Sequence, residues 1–130
     1  EIQAAILSAK LPMLEGWNQR RRELAERYRR GLKTVTPMDW HAYGEPVYHL
    51  MAVLSEQRES LMAHLEAQGV QTLIHYPLPL QEQAAFKPYQ KGETPSGVAF
   101  FAPRIVSLPL YPELGEDEVD RVVAAVNAHG

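Results

Sequence analysis

Apolar residues recur at helical spacing from the first position onward. Ile2, Ala5, Ile6 and Ala9 share one helical face, so the chain opens inside a helix. Glu1 is a poor N-cap and nothing before it can serve as one, which predicts that the natural protein continues upstream. Pro12 lacks an N–H and disfavours helical backbone before it, predicting a break or kink at Lys10-Leu11. A second helix is expected from about Leu14 to Leu32, with Trp17, Leu24, Tyr28 and Leu32 on its apolar face. Gly31 or the Lys33-Thr34 region should end it.

Beyond this pair the period changes. Pro37, Gly44 and Pro46 mark residues 33–46 as a loop or short extended piece. The mostly apolar run Val47–Leu54 reads as a buried strand. Ser55 can cap a following helix in which Arg58, Leu61, Met62 and Leu65 share a face, and Gly69 supplies a left-handed stop. A second strand is expected over Val70–Tyr76, ended by Pro77 and Pro79. Seven of the ten prolines fall between residues 77 and 112, so that span should be mostly irregular, with one helical turn near Gly97–Ala102. Ile105–Leu108 reads as a third strand. The last helix follows Gly115: Glu116, Asp117 and Glu118 suit the positive end of its dipole, and Val119, Val122, Val123 and Val126 form its stripe. Two helices, strand, helix, strand, loop, strand and helix predict an α+β fold, a small and mainly antiparallel sheet covered by helices on one side.

Composition narrows the function. With 130 residues the chain can bury one core. No apolar run approaches the roughly 20 residues that span a bilayer, so no membrane role is expected. The first residues lack the basic start and apolar core of a signal peptide. The absence of cysteine excludes disulfides, thiolate metal sites and cysteine nucleophiles, and fits a cytoplasmic protein. A net charge of −3 gives no general pull toward nucleic acid. Charge is nevertheless uneven: residues 19–30 are arginine-rich, whereas 113–120 are acidic. The basic stretch reads as a solvated helix face on which Glu23 and Glu26 pair with arginines three and four positions away. Contact with a nucleotide phosphate or a neighbouring subunit stays open for it.

Nothing in the chain assembles a complete active site. His41, His49, His64, His75 and His129 show no metal-ligand spacing. There is no phosphate-binding glycine loop or dinucleotide fingerprint. A Gly-x-Ser-x-Gly elbow is also missing, and Ser107 in Val-Ser-Leu-Pro has no nucleophile context. One segment is unusual. Leu73-Ile74-His75-Tyr76-Pro77-Leu78-Pro79-Leu80 places a histidine and a tyrosine where a strand leaves the sheet and proline fixes the exit. Such loops commonly carry sites, and both side chains can hydrogen-bond a polar ligand. The competing reading is a rigid proline turn whose His and Tyr are satisfied by backbone.

This segment belongs to a longer series. Glu1-Ile2-Gln3-Ala4-Ala5-Ile6-Leu7, Trp17-Asn18-Gln19-Arg20-Arg21-Arg22, Val47-Tyr48-His49-Leu50 and Arg58-Glu59-Ser60-Leu61-Met62-Ala63-His64-Leu65 precede it in order. Ser107-Leu108-Pro109-Leu110-Tyr111-Pro112-Glu113-Leu114 follows it. Taken together, these pieces resemble the C-terminal part of the DegT/DnrJ/StrS sugar aminotransferases, over nearly the whole chain.

The resemblance implies the small domain of a type I aminotransferase, with residues 1–32 as inter-domain helices and 33–130 as the α+β core. It further implies an upstream large domain that binds pyridoxal phosphate, and a homodimer with active sites at the subunit interface. The reaction moves an amino group, typically from glutamate, onto a nucleotide-linked keto-sugar. The cofactor lysine belongs upstream: Lys10, Lys33, Lys87 and Lys91 match no such context, so the chain alone should not transaminate and carries no catalytic or cofactor-binding residue. His75 and Tyr76 match the family's His-Tyr-Pro segment and are expected beside the substrate. Gln81 stands where many members have a second histidine. Residues 95–103 depart as well, with Phe100-Phe101 where charge is usual and Pro103 shortening any helix. The alternative is a stand-alone binding or assembly module that keeps the small-domain fold. A dehydratase relative using the same cofactor is a third reading, decided by the residue at the upstream lysine position.

Overall fold

The computed structural model describes residues 1–38 and 44–130. Helix α1 spans Ile2–Lys10 and passes through a single 3-10 turn, Leu11–Met13, into α2, Leu14–Gly31. Pro12 sits at the start of that turn, where its missing N–H costs nothing, so the chain tightens without stopping. Strand β1 is Thr36–Pro37, β2 is Met51–Leu54, α3 is Arg58–Ala67, α4 is Ser96–Phe101, β3 is Ile105–Leu108 and α5 is Glu116–His129. Two further 3-10 turns, Leu80–Glu82 and Lys87–Tyr89, lie in the proline-rich span. Residues 39–43 of the expected 33–46 loop, His41 among them, lie outside the described residues.

The sheet is antiparallel in the order β1-β2-β3, with Val53 opposite Val106 and Met51 opposite Leu108. Successive side chains on a strand point to opposite faces. Met51, Val53, Val106 and Leu108 therefore share one face, and all are buried. Helices α2, α3 and α5 supply the rest of that core through Leu24, Ala25, Tyr28, Leu61, Leu65, Val119, Val122 and Val126. Burying each such Leu or Val is worth roughly 1.5–3 kcal/mol. The core thus begins inside the 1–32 stretch, in the second half of α2, while α1 buries no residue.

Two expected strands are shorter than the sequence suggested. Extended structure over 47–54 is confined to 51–54, because Tyr48 has φ +49 and a left-handed residue cannot continue a strand. Over Val70–Tyr76 a single bridge forms, between Leu73 and Ser107. The next pair on one side would set Gln71 against Pro109, which has no N–H to give. The helix stops behave as read. Gly69 has φ +76, and the Gly69 and Val70 N–H groups return to the carbonyls of Glu66 (2.9 Å) and Leu65 (2.8 Å). Ser55 acts one step earlier than a helix cap: its Oγ accepts from the Gln57 N–H at 3.2 Å, and Gln57 leads into α3.

Candidate functional site

The site is built on the edge of β3. Ser107 pairs with Ala52 on one side, and on the other exchanges two backbone hydrogen bonds with Leu73, at 2.8 and 3.2 Å. Residues opposite each other in an antiparallel pair share a face, as do residues two apart on one strand. Leu73, His75 and Ser107 therefore stand on the face turned away from the core. Ser107 is buried, yet Leu73 is 63% exposed. From Leu73 the chain turns through a cis His75-Tyr76 peptide into the rigid Pro77-Leu78-Pro79 exit.

His75 is half-buried, and its Nδ1 lies 3.0 Å from the Ser107 hydroxyl. Its ring meets the edge of Tyr76 at 6.0 Å between centroids. Tyr76 itself is 76% exposed. A rigid turn with both groups satisfied by backbone does not describe this arrangement, because the histidine's partner is a side chain and the tyrosine faces outward. Nothing in the sequence ties Ser107 to His75, 32 positions away.

His75 and Ser107 border an open cleft of about 1010 Å³ between α3, the start of α5 and the segment after Gly69. Met62 and Leu110 give it apolar walls, while Glu59, Glu66, Glu118 and Arg121 bring charge to it. Tyr28 holds one of its lining residues, Pro109, from behind. The phenol donates to the Pro109 carbonyl at 2.9 Å, tying α2 to the turn that follows β3. Burial pushes the Tyr28 phenol well above the ordinary tyrosine range, with lesser help from the Tyr111 and Glu118 charges.

Other expected features lie apart from this cleft. The arginines of α2 are engaged within the chain: Arg27 reaches Asp120 (2.6 Å) and Glu116, Arg20 reaches Glu23 and Glu116, and Arg22 reaches Glu15. The acidic start of α5 is thus the partner of the basic helix. The hydrogen bond to Asp120 raises Arg27, and the same bond holds the Asp120 carboxyl below its usual range. His64 contacts the Ala125 carbonyl (3.1 Å) and His129 the Ser60 hydroxyl (2.9 Å), joining α3 to α5. The Gln81 side-chain nitrogen is shielded from solvent without a hydrogen-bond partner among the described residues. In the departing segment, α4 ends at Phe101. Arg104 caps it by donating to the Phe100 carbonyl, covers the Phe100 ring at 4.6 Å and pairs with Glu56.

This chain belongs to the DegT/DnrJ/EryC1/StrS aminotransferase family, which matches residues 1–127. It is 42% identical, over its whole length, to a dTDP-3-amino-3,6-dideoxy-alpha-D-galactopyranose transaminase of Aneurinibacillus thermoaerophilus, of which it covers 36%. A dTDP-3-amino-3,4,6-trideoxy-alpha-D-glucose transaminase of Streptomyces venezuelae is 38% identical over 97% of the chain, which covers 34% of that enzyme. The chain therefore spans about a third of the length of these relatives. Among solved structures, S. venezuelae DesV superposes with a TM-score of 0.90 at 35% identity, over 97% of this chain and 35% of that one. A family aminotransferase from Brucella abortus gives 0.89 at 33% identity, over 98% and 35%. The expected α+β small domain with its antiparallel sheet is the fold observed.

Proposed function

We propose that this chain is the C-terminal domain of a cytoplasmic, pyridoxal-phosphate-dependent aminotransferase that aminates a nucleotide-linked keto-sugar, with glutamate as donor. The observation that carries this reading is full-length identity of 42% to a dTDP-amino-sugar transaminase about a third of which the chain covers. On this reading the helices within 1–32 lead to an upstream large domain, residues 33–130 form the small domain, and two copies pair as a homodimer. The exposure of Ile2 and Leu7 on α1 and of Leu11 in the turn after it (66–80%) supports a further surface packed there.

The residues of this chain do not fit a role in holding the cofactor. Lys10, Lys33, Lys87 and Lys91 are all exposed, and none lines the cleft beside His75. Pyridoxal phosphate, which supplies an electron sink for the transferred amino group, is assigned to the upstream domain. His75 and Tyr76 bind instead: the imidazole that borders the cleft and the exposed phenol beside it orient the hydroxyls and phosphates of the sugar nucleotide. In the net reaction, amino nitrogen passes from glutamate to the keto carbon of the sugar; the sugar's keto oxygen leaves as water, and a water molecule supplies the keto oxygen of 2-oxoglutarate.

The test is a protein extended upstream, supplied with pyridoxal phosphate, glutamate and dTDP-linked 3-keto- or 4-keto-deoxyhexoses. The aminated sugar nucleotide, read by mass, is expected from the extended protein and not from the 130-residue chain. Lack of turnover by the extended protein with every such sugar would overturn the reading. So would a short chain that forms a stable oligomer and binds sugar nucleotide unaided, which is the behaviour of a binding module.

A further inference from the structure

We infer that Ser107 is the positioning residue of His75, its buried hydroxyl setting the imidazole tautomer so that Nε2 is presented to substrate as a hydrogen-bond donor. The substrate half of this statement rests on the proposed function; the tautomer half rests on geometry alone.

Ser107 is held unusually firmly. Its backbone is paired on both sides, with Ala52 and with Leu73, and its neighbours Val106 and Leu108 are anchored in the core. The residue is 6% exposed, with the cleft as its opening to solvent. A buried O–H left without an acceptor is costly, and His75 Nδ1 at 3.0 Å is its side-chain partner among the described residues, so the hydroxyl is satisfied as a donor when Nδ1 is unprotonated. A neutral imidazole that accepts at Nδ1 carries its proton on Nε2. The bridge between Leu73 and Ser107 also fixes the backbone two residues before His75. One residue thus sets the histidine's place through its backbone and its protonation pattern through its side chain. An Nε2–H donor suits oxygen acceptors, the phosphates, hydroxyls and keto oxygen that dominate a sugar nucleotide.

The tautomer is read directly by long-range ¹H–¹⁵N correlation of the His75 ring in the 130-residue chain at a pH where the ring is neutral. The wild-type ring should show an unprotonated Nδ1 and a protonated Nε2. Ser107→Ala should move both resonances toward a tautomer mixture, and Ser107→Thr, which keeps the hydroxyl on a residue suited to a strand, should restore them. An Nδ1–H tautomer in the wild type, or an unchanged ring in Ser107→Ala, would overturn the assignment. Because Ser107→Thr retains the hydroxyl, a fold lost in Ser107→Ala alone still supports hydroxyl dependence only if the threonine ring matches wild type; a mismatch counts against it. In the extended enzyme, loss of about one hydrogen bond predicts a KM for the sugar nucleotide raised about fivefold by Ser107→Ala, with kcat changed less. If His75→Ala leaves that KM unchanged while the tautomer still follows Ser107, the substrate role of His75 fails and the positioning by Ser107 stands.

Discussion

The packed pair α2–α5 and, by contrast, the N-terminal residues 2–11 and residues 73–101 all carry apolar side chains, but they end in opposite conditions. In the first pair, Leu24, Ala25, Tyr28, Val119, Val122 and Val126 are buried, and basic residues of one helix meet acidic residues of the other. In the second, Leu7, Leu11, Leu80, Tyr76 and Tyr89 are 60–77% exposed. Single exposed apolar residues are ordinary, but several recurring along one helix, and several more along one loop, leave apolar area for partners to cover. The first region closes on itself within this chain, whereas the second leaves its apolar side chains exposed and includes His75 and Tyr76.

Truncation of apolar side chains gives the largest contrast between them. Leu24→Ala or Leu61→Ala removes a fully buried side chain and should cost about 2–5 kcal/mol in urea unfolding of the 130-residue chain. Leu7→Ala on α1 or Leu11→Ala in the turn after it should stay within about 0.5 kcal/mol. Comparable losses at the two places would erase the distinction.

The next effect lies where the last residue of α2, Gly31, meets Val123 of α5. A Cβ on Gly31 would stand 2.8 Å from Val123 Cγ1, and β-branched Val123 has little freedom to yield. Overpacking of about 1–3 kcal/mol opposes a helical gain of about 0.5–1 kcal/mol, so Gly31→Ala should destabilise by about 1 kcal/mol. In a Val123→Ala background the same change should become neutral or stabilising.

The readability of the chain followed the same divide. Periodic apolar residues placed α2, α3 and α5, and turn chemistry placed Gly69, because both signals are local. The arginine-rich and acidic stretches were each visible, but not as partners. Their contact depends on α2 and α5 lying side by side across more than 80 intervening positions. Val70–Tyr76 carries the composition of a strand, and pairing fails for want of an N–H on Pro109, which only register reveals. His75 and Tyr76 stood out through the proline exit. Ser107 did not, since a serine within a strand gives no sign of what crosses beside it.

A smaller effect tests the tie between the helices and the cleft. Tyr28→Phe should lose about 1 kcal/mol by leaving the Pro109 carbonyl without its donor. The tyrosine also makes stability depend on alkaline pH. Its folded-state pKa is raised by burial, so its contribution is complete below the unfolded value of about 10 and declines as pH rises beyond it. The stability difference between wild type and Tyr28→Phe should therefore shrink between pH 9 and pH 11, measured by urea midpoints at each pH.

The smallest effect probes the charged seam. Arg27 and Asp120 are solvent-facing, so their bond is screened by salt and contributes little despite its short geometry. Asp120 is held low by Arg27, which fixes the sign: its contribution is present above the ordinary aspartate range and disappears as pH falls through the depressed folded value. Asp120→Asn should accordingly weaken the chain slightly at neutral pH and low salt, and become indistinguishable from wild type in strong salt or strong acid. Arg27→Ala should lose more than Asp120→Asn, since Arg27 also reaches Glu116 at the start of α5. If instead both variants were as damaging as Leu24→Ala at every salt concentration, charge rather than apolar burial would be joining α2 to α5, and the contrast with α1 would need a different physical basis.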